Sequence, residues 1–201
     1  YLITEASLRP KHEDFTVDQA RAFAEEFLAI DLDGVTLEIQ LIDERKNDHG
    51  KEVINIQYMY EYEDGGIVTS LQLDPETGEI THYNDIKSHL MEELGIDAPE
   101  NKDTISETEA LEQAVHYLEQ YTPSILHQDA LPANDGRVDE EQDVYYFTFQ
   151  RHVNGIPVIG DSITVLIAAD GTLQLLDVTN LEIDHWPSID DVISKEQATD
   201  K

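Results

Sequence analysis

A chain of 201 residues is long enough for one large or two small domains and can bury a real core. With 44 Asp plus Glu against 12 Lys plus Arg, its net charge of −32 repels phosphate backbones and anionic membrane surfaces, which argues against nucleic-acid binders. The absence of cysteine removes disulfides, thiol catalysis and Cys-based zinc sites, and no apolar run approaches the roughly 20 residues that span a bilayer.

Residues Tyr1 to Asp14 read as an irregular lead-in. No leader is legible, and a chain beginning at Tyr1 reads as a piece of something longer. A helix follows. Ala20, Phe23, Ala24, Phe27 and Leu28 fall on one face, Thr16 with Gln19 makes a capping box, and Asp18 suits the positive end of the helix dipole. Asp31-Leu32-Asp33-Gly34 resembles the first half of a calcium loop but lacks the further acid and the closing Glu, so it reads as a helix exit with Gly34 as the stop. Four strands come next: Val35 to Leu41, Val53 to Tyr62, Ile67 to Leu73 and Glu79 to Tyr83. Asp64-Gly65-Gly66 and Asp74-Pro75-Glu76-Thr77-Gly78 turn the chain between them. Asp85 to Leu94 reads as a short helix closed by Gly95, and Ala98 to Asp103 as a linker.

The same grammar then returns. Ser106 and Glu109 form a second capping box ahead of an apolar stripe of Leu111, Ala114, Val115 and Leu118. Thr122 to Asp143 is a long loop with room for one edge strand. Tyr145, Phe147 and Phe149 then alternate with polar neighbours, as do Ile163, Val165 and Ile167, and Leu173 and Leu175. Asn154-Gly155 and Asp170-Gly171 supply turns, and Ile156 to Asp161, with Pro157, reads as a connection. A third helix start, Ser194-Lys195-Glu196-Gln197-Ala198, closes the chain. The three starts stand roughly ninety residues apart, longer than a solenoid period. A one-striped helix must bury that stripe on one sheet face. The expected fold is therefore α+β: two tandem units, each a helix packed on an antiparallel sheet of about four strands. The expected boundaries are residues 1–100, with the lead-in, then 101–187, with 188–201 starting a truncated third unit or a linker.

Constellations that carry chemistry are sparse. The eight histidines, His12, His49, His82, His89, His116, His127, His152 and His185, include no His-x-x-x-His pair, and each reads as a surface residue. The acid pairs Asp139-Glu140-Glu141 and Asp190-Asp191 fall in apparent loops rather than in a cleft that could split their pKa values. There is no Gly-x-Ser-x-Gly elbow, and Asp64-Gly65-Gly66 lacks the Lys and the helix of a phosphate loop. The aromatic stripes Tyr58, Tyr60, Tyr62 and Tyr145, Tyr146, Phe147, Phe149 read as core, with a peptide-binding face as the alternative. No catalytic, cofactor-binding or metal residue is assigned, and no cofactor is expected.

The run Phe149-Gln150-Arg151-His152-Val153-Asn154-Gly155-Ile156-Pro157-Val158, followed by Asp161, a strand, Asp170-Gly171 and another strand, resembles the PepSY-like group. More closely it resembles the YcdB/YcdC repeat of Bacillus-type envelope proteins. Leu73-Asp74 with Thr77-Gly78-Glu79-Ile80 and Tyr83 matches the same turn in the first copy, which has Asp64-Gly65-Gly66-Ile67-Val68 where the second has Asn-Gly-Ile-Pro. The resemblance, from about Thr16 onward, implies an extracytoplasmic, non-catalytic module. Relatives of this shape occur in propeptides of thermolysin-like metalloproteases, and PepSY domains are linked to restraint of peptidases; no functional residue carries over. The expected function is an interaction or regulatory module that binds a protein or peptide in the cell envelope, a peptidase being one candidate. It needs no nucleic acid and no membrane insertion of this segment. A structural spacer of a cell-surface protein is the alternative, and an acid-dependent hydrolase ranks third.

Overall fold

The computed structural model describes residues 15–96, 104–124, 131–132, 137–139, 144–153 and 156–179. The first helix, α1 (Val17–Phe27), starts where the sequence places its cap. Thr16 Oγ1 accepts from the Gln19 amide at 3.2 Å, and the Thr16 amide donates to Gln19 Oε1 at 2.8 Å. Ala20, Ala24 and Leu28 are buried, and Phe23 and Phe27 pack beside them. The helix ends at Phe27, before Asp31. Gly34, at φ +81°, therefore caps no helix. It sits in a turn closed by the Val35 amide on Leu32 O at 3.1 Å, just ahead of the first strand.

Four strands form the first meander: β1 (Thr36–Lys46), β2 (Glu52–Tyr62), β3 (Gly65–Leu73) and β4 (Ile80–Asn84). The first runs past Leu41 because its polar end, Asp43 to Lys46, pairs with Glu52 to Asn55 at an edge of the sheet, where charged side chains are at home. Then α2 (Lys87–Glu93) follows. Its end is set by Gly95 at φ +63°, whose amide bonds Glu92 O while the Ile96 amide bonds Met91 O. The second capping box holds at α3 (Glu107–Tyr121): Glu109 N to Ser106 Oγ at 3.3 Å, Ser106 N to Glu109 Oε2 at 2.8 Å. The third cap, at Ser194, lies outside the described residues, as do Tyr1 to Asp14 and the Ala98 to Asp103 linker.

The rest is sheet: β5 (Leu131–Pro132), β6 (Arg137–Asp139), β7 (Val144–Val153), β8 (Ile156–Ala168) and β9 (Leu173–Thr179). The Thr122 to Asp143 stretch thus gives two short edge strands, not one. Ile156 to Asp161 is not a connection. It is the first part of β8, with Val153 opposite Ile156 and His152 opposite Pro157.

The fold is α+β. All nine strands form one antiparallel sheet, in the order β1-β2-β3-β4-β9-β8-β7-β5, with β6 also on β7. Read outward from the β4–β9 seam, the strand order is the same on both sides, which gives the sheet an approximate two-fold axis. The seam pairs are His82↔Asp177, Tyr83↔Leu176 and Asn84↔Leu175. Helix α1 lies over β1 and β2, and α3 over β7 and β8. One buried cluster runs beneath both, from Ile54, Ile56 and Tyr58 through Tyr83 and Leu176 to Val165 and Phe147. Whatever units the chain is divided into therefore share a core. The aromatic stripes are core as expected at Tyr58, Tyr60, Phe147 and Phe149, while Tyr146 faces out.

Candidate functional site

The seam brings the last residues of β4 under the two helices. Beyond Asn84, the Asp85 amide extends the β4–β9 ladder by donating to Gln174 O at 2.7 Å, which fixes Asp85 where α2 begins. Ile86 caps that helix without a side-chain bond. Asp85 does the work instead: its Oδ1 accepts from the Lys87 amide at 3.3 Å and from the Tyr83 hydroxyl at 3.1 Å. Above it, Phe27 of α1 meets Tyr83 edge-on at 4.9 Å and Tyr121 of α3 edge-on at 5.1 Å, and Tyr117 stacks on Tyr121 at 6.2 Å. A cleft of about 970 Å³ opens among these groups, with Phe23, Gln174 and Met91 in its walls and Glu26, Lys87 and Asp170 also lining it.

Burial raises the Asp85 pKa above the usual carboxylate range, against the Lys87 amide and charge and the Tyr83 hydroxyl, which favour the anion. Burial, and then the Asp85 charge, also push the Tyr83 phenol up, so it stays a hydrogen-bond donor at any physiological pH. The cleft therefore holds an acid whose ionisation is opposed, beside a phenol that does not ionise. Such a pair binds and orients.

The β7–β8 hairpin is the second notable feature. Past Ser162 it carries exposed Ile156 and Ile159, the latter 83% exposed. Its base is braced by Arg151 on the buried Asp161 at 3.0 Å and by Gln150 Nε2, which donates to Val158 O and Asp161 O. By sequence this arm reads as a connection. The signal available was that Ile156, Val158 and Ile159 are apolar in what would otherwise be a polar turn.

The histidines do not come together. His82 Nδ1 lies 2.7 Å from Asp177 Oδ1 on the sheet face away from the helices, His89 is 3.9 Å from Glu92, and His152 Nδ1 is 2.9 Å from Gln150 O. His116 lies beside Tyr117, and His49 is in the β1–β2 turn. His12, His127 and His185 lie outside the described residues, as do Asp190-Asp191 and Glu140-Glu141. Among the described residues no group of three or more His, Asp or Glu is placed to hold a metal ion, and no helix is long and apolar enough to cross a membrane.

The arrangement of two helices over one face of a meandering antiparallel sheet is a PepSY-like fold. Residues 68–175, just over half of the chain, match the family described as the YcdB, YcdC repeated domain, and the chain belongs to that family. The match begins in β3 and ends in β9. Among solved structures the chain is similar to the Bacillus megaterium YpeB C-terminal domain, with a TM-score of 0.55 at 19% identity, covering 94% of this chain and 75% of that one. No curated protein matches.

Proposed function

We propose that the chain is a non-catalytic, extracytoplasmic interaction module that binds a protein or peptide of the cell envelope, with a peptidase as the partner class. The observation that carries this reading is the β7–β8 arm. It carries Ile156 and Ile159 exposed, the latter 83%, on the first part of an extended strand. Large apolar side chains held out in solvent are anchors for a partner's apolar groups. Family membership supports the reading, since PepSY-like domains are generally non-catalytic and often serve as protein-interaction modules. We also read residues 1–100 and 101–187 as two units and 188–201 as the start of a third.

The test is binding and inhibition against secreted metalloproteases, with the wild-type chain beside Ile159→Asp. Saturable binding that the variant loses supports the proposal. Binding to none of them, or equal binding by the variant, counts against it. A second reading, a spacer repeat with no ligand, rests on the third helix start at Ser194. Interchangeable units in truncated surface proteins would favour it.

A further inference from the structure

We propose that the cleft between α1, α3 and the β4–β9 seam receives a basic side chain, arginine or lysine, of an extended peptide. This deepens the module reading and rests on it. At about 970 Å³ the cleft is at the upper end of the roughly 300–1,000 Å³ of ligand pockets, too roomy for a bare cation and suited to a side chain with its flanking backbone. Aromatic side chains line it from both helices and the seam: Phe23 and Phe27, Tyr117 and Tyr121, and Tyr83. An ammonium or guanidinium group entering the cleft meets aromatic partners of the kind that attract it.

Charge gives the direction. The cleft is lined by the carboxylates Glu26, Asp85 and Asp170 against the single ammonium of Lys87 among its described residues. Asp85 supplies the specific contact. Both of its short hydrogen bonds end on Oδ1, while Oδ2 has only the Gln174 amide at 3.5 Å among the described residues. An oxygen so placed, on a carboxyl that burial holds back from ionising, gains most from a charged donor. A net charge of −32 raises the local concentration of cations around the whole molecule, and the cleft concentrates it further.

The experiment titrates the full chain, isotope-labelled, with the capped peptides Ala-Ala-X-Ala-Ala, where X is Arg, Lys, norleucine or Glu. The Arg and Lys peptides should saturably shift the signals of Phe27, Asp85 and Tyr121 and bind about tenfold tighter than the norleucine peptide, one charge-assisted contact being of that size. The variants Asp85→Asn and Phe27→Leu should weaken the Arg peptide about five- to tenfold, while Asp177→Asn, on the opposite sheet face, stays within about twofold of wild type. Equal affinity for Arg and norleucine, shifts that spread over the surface without saturating, or undiminished binding by both cleft variants would overturn the assignment. Thermal melts of each variant establish that it is folded. An envelope partner that binds wild type and Asp85→Asn alike removes the cleft assignment and leaves the module reading standing. Peptide binding without any envelope partner does the reverse.

Discussion

His82 and Asp177 face each other directly across the β4–β9 seam, 2.7 Å apart, yet the seam is held from its other face. The pair is 35% and 38% exposed, so solvent screens it, whereas Leu176 one residue away is fully buried. A double-mutant cycle on His82→Ala and Asp177→Ala should give a coupling of under about 1 kcal/mol. Leu176→Ala should cost about 2–5 kcal/mol in urea unfolding. A coupling above the Leu176 cost would mean that the polar face holds the halves together.

The two helix caps have the same geometry but differ in chemistry. Thr16→Ala and Ser106→Ala should each cost about 1 kcal/mol, and the double variant should cost nearly their sum, because the sites lie on separate helices. Their pH response should differ. The Ser106 amide and then its hydroxyl hold the Glu109 carboxyl below its ordinary 4.5. The contribution of this cap is thus complete above 4.5 and lost as pH falls through the lowered folded value. Gln19 does not titrate, so the cost of Thr16→Ala should be constant across that window.

Asp85 runs the other way. Its folded pKa lies above the ordinary 3.8, so between the two values the folded chain binds more protons than the unfolded one. Stability conferred by the neutral acid is full below 3.8 and declines as pH rises through the folded value. Asp85→Asn, which keeps an acceptor for Tyr83 and Lys87, should remove that decline and be more stable than wild type at neutral pH. Denaturant midpoints from pH 3 to 7 check it; parallel curves for the two proteins would contradict it.

Gly78 and Gly171 occupy equivalent turns, at φ +69° and +86°. A Cβ at Gly171 would meet Ile105 at 3.6 Å, an ordinary contact, but at Gly78 it would come within 2.5 Å of the Phe15 ring. Gly171→Ala should cost only the left-handed backbone, about 1–2 kcal/mol, and Gly78→Ala clearly more. Phe15→Ala should shrink the difference, as thermal unfolding would show.

Thr81 sits in the bulge where β3 and β4 lose register, buried, with its hydroxyl unpaired among the described side chains. Thr81→Val keeps the shape and removes an unsatisfied group, so it should raise stability by about 1 kcal/mol. A loss of that size would reveal a partner for the hydroxyl.

The periodic elements were legible because their signals are local. Alternation at Ile54 to Tyr62 and Phe147 to Phe149, the two S/T-x-x-E/Q caps and the Asp74–Gly78 turn each specify their own backbone. Strand ends were not. The polar tail of β1 pairs only because β2 lies beside it, and the start of β8 is a strand because β7 reaches it. The cleft was invisible for a stronger reason. Phe27, Asp85 and Tyr121 come from α1, the β4–α2 junction and α3, far apart along the chain, and the β4–β9 pairing brings the two halves that carry them together. Nothing near any one of them in the sequence marks it out.

The last strand of each meander is consumed by the other at the two-fold seam. Cut apart at that line, either half would keep its closing strand naked, so neither half of this sheet is complete without the other.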